Sequence, residues 1–149
     1  MTAKRKQKSH TFDVLFWLVQ LLWGFPQTLA GFCLYRRYKD CPHGHFRETL
    51  VTKWPLAESL SLGPFLFVSD KIVDKSFRNY ILLHEYGNSR QSLLLGPLYL
   101  LIIGVPSIFW CRVPFCGRSW RNGGRSYYSF YTERLANRLS GVEDITWKK

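Results

Sequence analysis

A histidine, a glutamate and an asparagine stand close together near the middle of the chain. His84 and Glu85 are adjacent, and Asn88 follows one helical turn after His84. In the pattern His-Glu-x-x-His, two histidines on one face of a helix bind a zinc ion, and the glutamate acts as general base on the metal-bound water. Here the first two members are present, and Asn88 occupies the position of the second histidine. A His-Glu pair alone is common by chance, so the meaning of this candidate motif depends on the surrounding sequence; on a helix, His84 and Asn88 would lie on the same side.

The sequence around this motif predicts the helix that would hold it. From Phe77 to His84, apolar side chains recur at helical spacing and share one face. The expected helix covers about residues 76–95, because Gly96 and Pro97 would end it. The motif would then lie in the middle of this helix.

Two strands and a second helix are the other elements expected near the motif. Residues 46–54 and 62–69 are rich in β-branched and aromatic residues, which is typical of strands. Residues 127–139 predict a last helix, ended by Gly141. The expected fold class is α+β, in a domain that covers residues 40–149.

The N-terminal part of the chain has a different character. Residues 1–10 are basic and are expected to form a disordered tail. Residues 12–35 are mostly apolar and about as long as a bilayer-spanning helix, but Gly24 and Pro26 interrupt them. Basic residues flank the run on both sides, so two short helices that enter and leave one leaflet would keep both ends on the cytoplasmic side. We therefore expect a membrane-associated helical hairpin over residues 11–39; the alternative is a buried hairpin of a soluble protein.

A second apolar run follows the motif helix. It covers residues 92–110, but Gly96, Gly104 and Pro106 divide it into pieces too short to cross a bilayer. We expect it to be buried or re-entrant. Cys33, in the first apolar run, is expected to pack as a small apolar side chain.

The charge distribution bears on the partners. The net charge is +11, and the basic excess lies towards both ends of the chain, next to the apolar runs. This placement favours a lipid membrane as partner, and since no helix-turn-helix, RNA-recognition or zinc-finger pattern is visible, no specific nucleic acid is expected. A glycine-rich basic segment is either a solvated loop or a contact for phosphate or lipid headgroups. Its basic residues are Arg112, Arg118, Arg121 and Arg125.

The segment that begins at His84 resembles a known family. After His84-Glu-Tyr-Gly-Asn88 come Gln-Ser, then Leu-Gly-Pro-Leu-Tyr, and then Gly-Val-Pro-Ser at residues 104–107. Residues 61–70 and 127–142 contribute further matching segments. Together they resemble uncharacterised bacterial zincin-like proteins, which read His-Glu-Tyr-Gly-His at the motif.

The resemblance implies a minimal zincin-like domain of gluzincin type in a membrane-associated, metallopeptidase-like protein. His84 and Glu133 would then be zinc ligands, and Glu85 would be the general base. Asn137 would support a ligand through a hydrogen bond. A peptide or protein substrate would add as a strand to the edge of the sheet. The residues of that edge strand would be Leu62, Phe65 and Phe67.

Asn88 departs from the family pattern, because an amide oxygen is a poorer zinc ligand than an imidazole. Metal binding could be lost, which would leave a pseudoenzyme. Alternatively, His43 or His45 takes the ligand position of the second histidine. A third alternative is that Asn88 is a weak ligand, for zinc or for a different metal. A fourth is that the resemblance concerns the fold alone. The expected function is that of a metallopeptidase-like protein with a degenerate zinc motif. The alternative is a catalytically inactive, membrane-associated binding or structural protein.

Overall fold

The computed structural model describes the backbone of residues 2–106 and 131–141, and within these ranges the side chains from residue 11 onward except that of Glu133. Over these residues the chain has a mixed α+β fold, which confirms the expected class. The α-helices are α1 (Thr2–Leu22), α2 (Phe25–Arg37), α3 (Lys75–Leu95) and α4 (Tyr131–Ser140). The strands are β1 (His43–Phe46), β2 (Thr49–Trp54), β3 (Leu60–Leu62) and β4 (Phe65–Ser69). A 3₁₀ turn, Gly96–Leu98, and a π-helical segment, Leu100–Gly104, continue the chain after α3.

The four strands form one mixed sheet in the order β1-β2-β4-β3. β1 and β2 are an antiparallel hairpin, and β3 and β4 are a second one. The two hairpins join through parallel pairing of β2 with β4, with Leu50 opposite Phe65. Each of the two predicted strands, 46–54 and 62–69, is interrupted by a turn, so the sheet has twice as many strands as the sequence indicated.

The core of the sheet is aromatic. Trp54, Phe65 and Phe67 are buried and pack together, and the rings of Trp54 and Phe67 lie 5.1 Å apart. Trp17 of α1 meets Phe65 edge-on at 5.7 Å. Tyr35 of α2 contacts the same ring at 5.6 Å. The N-terminal helices are therefore packed on the sheet and belong to the same fold.

Helix α3 begins and ends close to the predicted positions. The side chain of Asp74 accepts hydrogen bonds from the backbone N–H groups of Ser76 and Phe77, and so caps the first turn. Gly96 ends the helix with φ of 52°, a conformation that glycine adopts at little cost. The prediction of a helix over about 76–95 is confirmed.

The first two helices meet at a sharp bend. Among the described residues, no single helix is both long enough and apolar enough to cross a bilayer. The segments 11–22 and 25–37 meet both criteria only when they are taken together, and they are bent by 102° relative to each other. Gly24 occupies the bend, and Pro26 lies in the first turn of α2, as the breaks in the sequence predicted. Helix α1 starts at Thr2, so the backbone of residues 2–10 is helical in the segment where a disordered tail was expected.

Candidate functional site

His84 and Asn137 form the centre of the candidate site. Both are buried, His84 on α3 and Asn137 on α4, and His84 Nδ1 lies 2.8 Å from Asn137 Oδ1. Because an amide oxygen can only accept, the imidazole must donate its Nδ1–H in this bond. His84 Nε2 is then the ring nitrogen with the lone pair, as a metal-ligating histidine requires. The Nδ2 group of Asn137 in turn donates a hydrogen bond to the Tyr80 hydroxyl, over 3.4 Å.

Glu85 and Asn88, three positions apart on α3, contact each other beside His84. The amide Nδ2 of Asn88 donates to Glu85 Oε2 over 3.2 Å. Glu85 is buried and Asn88 is half-buried. Asn88, at the predicted position of the second histidine, therefore bonds to the carboxylate that was predicted as general base. A ligand role for Asn88 would use Oδ1, the amide atom that offers a lone pair.

Glu133 lies on α4, one turn before Asn137. Its backbone is on the helix that packs against α3, but its side chain is outside the described part of the structure. Among the described side chains, no three His, Cys, Asp or Glu converge to hold a metal ion. The ligand set that the sequence assigned to His84, Asn88 and Glu133 stays a prediction.

Two other histidines were candidates for the ligand position of Asn88. His43 lies on β1, and both of its ring nitrogens have protein partners: Thr52 Oγ1 at 3.0 Å and the Lys39 carbonyl at 3.1 Å. His45 lies on the same strand and is exposed. His43 thus bonds to β2 and to the turn that follows α2, which does not favour a ligand role.

The predicted substrate strand requires a correction. Phe65 and Phe67 lie on β4, which has β2 on one side and β3 on the other. All residues of β4 are buried, because it is an interior strand whose backbone groups are already paired. Leu62 lies on β3, which is an edge strand together with β1. A peptide cannot add to β4, so the role assigned to Phe65 and Phe67 is wrong.

Several other predicted residues have a clear outcome or lie beyond the description. Cys33 is exposed, so its expected burial as a small apolar side chain is wrong. Four arginines were predicted to contact anions or lipid headgroups. They are Arg112, Arg118, Arg121 and Arg125, and all lie outside the described residues.

The structure also brings together a group that the sequence did not indicate. Glu48 accepts hydrogen bonds from the Tyr86 hydroxyl at 2.8 Å and from Arg90 at 3.2 Å. The guanidinium of Arg47 stacks over the Tyr86 ring, 4.6 Å from its centroid. Arg90 also lies 5.7 Å from the ring of Phe12, at the start of the apolar part of α1. This Glu48 cluster joins the β1–β2 turn to the helix that carries the motif. Only the spacing of Tyr86 and Arg90, one helical turn apart, could have pointed to it.

Alkaline pH is expected to weaken folding through Tyr86. Burial raises the pKa of this hydroxyl, Arg47 opposes the shift, and the bond to Glu48 adds to it. Above the ordinary tyrosine pKa of about 10, the unfolded chain therefore loses this proton before the folded one does. The unfolded state then binds fewer protons, so the free energy of unfolding falls as the pH rises through this range. Unfolding followed from about pH 8 to 11 should show a steeper fall for the natural chain than for Tyr86→Phe, and equal slopes would contradict this.

Comparison with known proteins gives no relative: no family model, curated protein or solved structure matches the chain.

Proposed function

We propose that this chain is a metallopeptidase-like protein of gluzincin type whose zinc motif is degenerate at Asn88. The observation that supports this is the hydrogen bond between His84 Nδ1 and Asn137 Oδ1. It joins the motif helix to the helix that the resemblance assigns to the third ligand, and it fixes the imidazole in the tautomer that a metal ligand needs.

The natural residues fit a zinc ion only in part. The Nδ1 bond supports the tautomer that a ligand role for His84 needs, and the backbone of Glu133 lies on the facing helix. Asn88 offers a neutral amide oxygen, and its Nδ2 is bonded to Glu85. Zinc in such a site lowers the pKa of water and polarises a carbonyl; without a second imidazole the chain lacks one of the three ligands that catalytic zinc sites use.

A second function is favoured by the contact between Asn88 and Glu85. A carboxylate that accepts from an amide at 3.2 Å is less available as a base than one beside a metal site. The chain would then be a catalytically inactive protein that keeps the scaffold and binds a partner. The resemblance implies a peptide or protein substrate for the metallopeptidase-like candidate.

Zinc content should separate these candidates from a working enzyme. We expect Asn88→His to bind about one zinc per chain, and the natural protein, purified in detergent and dialysed against zinc, to bind far less. Restoring a direct ligand should raise zinc affinity by more than the roughly 10–100-fold typical of outer-shell partners. Metal per chain is measured by mass spectrometry after removal of free zinc.

Two controls make the result specific. Asn88→Gln keeps an amide at the position and should bind no more zinc than the natural chain. Asn88→His combined with Glu133→Ala should lose the gained zinc. Stoichiometric zinc in the natural chain, lost in Glu133→Ala, would instead indicate a working site with an unusual ligand. The absence of zinc from a folded Asn88→His variant would refute the metal-site proposal.

A further inference from the structure

The outer side of α1 and α2 is apolar from Val14 to Cys33. Between Val14 and Tyr35 the sequence contains no charged residue. Large apolar side chains along both helices are about half exposed or more, and Leu22 at the bend is 81% exposed. We call this surface the apolar wedge. Its main residues are Leu15, Leu18, Leu22, Phe25, Leu29 and Phe32.

The end of α3 and the segment after it extend this surface. Gly96 packs directly against the indole of Trp23, so the end of α3 lies at the bend of the wedge. From there, Leu94, Leu98 and Leu101 are each more than half exposed. The second apolar run thus contributes exposed side chains, in addition to the buried or re-entrant character expected from sequence.

Between the wedge and α3 lies a polar interior. Gln20 of α1 and Gln27 of α2 are fully buried. The amide of Gln20 donates to the Ser89 carbonyl at 3.1 Å and accepts from Ser92 Oγ at 3.0 Å. The amide of Gln27 donates to Ser92 Oγ at 2.9 Å and to the Gly96 carbonyl at 2.8 Å. These bonds connect α1 and α2 directly to α3 and to Gly96 at its end.

Where α1 and α2 meet α3, this arrangement is the reverse of the one that water favours. A helix packed on a protein in water turns its apolar stripe inward and its polar side outward. Helices in hydrocarbon associate through small residues and through hydrogen bonds between polar side chains, while their apolar side chains face the lipid. A Cβ added to Gly24 would lie only 2.6 Å from Gln20 Oε1, so this glycine permits the close approach that such packing needs.

The dimensions of the wedge match one leaflet. Its two arms, 12–22 and 25–35, contain one charged residue, Asp13 near the outer end of the first, and are each about 16 Å long at 1.5 Å per residue. A bend of 102° leaves an angle of roughly 78° between the arms. If both arms lean equally, the bend reaches about 13 Å deep, within the roughly 15 Å of a single leaflet.

The charges at the ends of the wedge are complementary to anionic headgroups. Arg36, Arg37 and Lys39 are exposed at the end of α2. At the other end, the sequence before Phe12 contains four basic residues and no acidic one. Basic residues that flank a membrane-inserted segment are attracted to anionic lipids.

We infer that α1 and α2 insert as a re-entrant wedge into one leaflet of a bilayer with anionic headgroups. The bend between the helices lies deepest, and the chain returns to the side from which it entered. The polar interior that bonds α1 and α2 to α3 holds the wedge open at its bend. This inference does not depend on the proposed metal site, because a chain that binds no zinc has the same surface.

Vesicle flotation tests the insertion. The detergent-purified chain is diluted into preformed vesicles of phosphatidylcholine, with or without one third phosphatidylglycerol, and the floated fraction is measured. We expect Leu18→Gln and Phe32→Gln each to lower the partition coefficient about tenfold, since each removes an apolar side chain that the lipid would bury. The anionic vesicles should bind at least roughly fivefold better than the neutral ones.

Val73→Gln is the matched control, because Val73 is 88% exposed on the loop before α3, away from the wedge. It should float as well as the natural chain. Equal flotation of Leu18→Gln, Phe32→Gln and Val73→Gln would overturn the inference. So would a defined oligomer without lipid that Leu18→Gln dissociates, because a second copy would then cover the face.

Thiol labelling tests the return to one side. Single-cysteine variants at Thr11 and Lys39, with the four natural cysteines replaced by serine, are bound to sealed vesicles and treated with an impermeant maleimide. A re-entrant wedge exposes both positions to the outer solution, and both should be labelled to the same extent as in detergent. Protection of one position until the vesicles are opened would indicate a crossing and would overturn the re-entrant geometry.

Discussion

Replacing Gly87 by alanine is expected to destabilise the protein by about 3 kcal/mol, at the upper end of overpacking effects. A Cβ at this position would lie 2.0 Å from the Ala136 carbonyl oxygen and 2.7 Å from its carbon. Both are backbone atoms of α4, so no side-chain rotation can relieve the contact. The two helices would have to separate, and the bonds that cross between them, including that from Gln91 to the Thr132 carbonyl at 2.7 Å, would lengthen.

Gly44→Ala is the control for Gly87→Ala. Gly44 lies on the edge strand β1, and a Cβ there meets nothing within 4 Å. Unfolding by denaturant in mild detergent should leave Gly44→Ala within about 1 kcal/mol of the natural chain. A Gly87→Ala variant as stable as Gly44→Ala would contradict the close approach of α3 and α4.

Separation of α3 and α4 should also act on the candidate site. His84 lies on α3 and Asn137 on α4, so a wider gap would break the bond that fixes the imidazole. In the Asn88→His background, Gly87→Ala is therefore expected to abolish the gained zinc, while Gly44→Ala keeps it. Zinc retained in a folded Gly87→Ala variant would contradict this link between the helix contact and the metal site.

The sequence was sufficient for features that depend on neighbours along the chain. Helix α3 follows from the apolar spacing after Phe77 and from the break at Gly96, and both ends were predicted closely. The bend at Gly24 followed from glycine and proline in an apolar run. The pairing of His84 with Asn137 was indicated only through the resemblance of two separate segments, because nothing local relates residues 53 positions apart.

Features that depend on contacts distant in sequence could not be predicted in this way. The β1–β2 turn has Arg47 at φ of 53°, where glycine or asparagine would have marked the turn. The parallel pairing of β2 with β4 made β4 an interior strand, and no local pattern indicates that pairing. The Glu48 cluster escaped notice for the same reason: Tyr86 and Glu48 are 38 positions apart.

The buried amide of Gln20 leads to the second large prediction. Gln20→Leu is expected to lower the free energy of unfolding in detergent by about 2–4 kcal/mol, although leucine has nearly the same size and is the better residue in most cores. The substitution removes the acceptor of Ser92 Oγ and the donor to the Ser89 carbonyl at once. A buried polar group that loses its partner costs about 1–3 kcal/mol.

The reverse substitution on the outer side of the same helix gives the comparison. Leu18 is 49% exposed, two residues before Gln20, so Leu18→Gln should change the unfolding free energy in detergent by less than about 1 kcal/mol. The two variants should therefore exchange rank between assays: Gln20→Leu loses stability and, where folded, keeps vesicle binding, whereas Leu18→Gln keeps stability and loses vesicle binding. If Gln20→Leu were instead as stable as the natural chain, the polar interior would not hold α1 against α3. In that case the hydrogen bonds of Gln20 would not explain why glutamine, and not leucine, occupies this buried position.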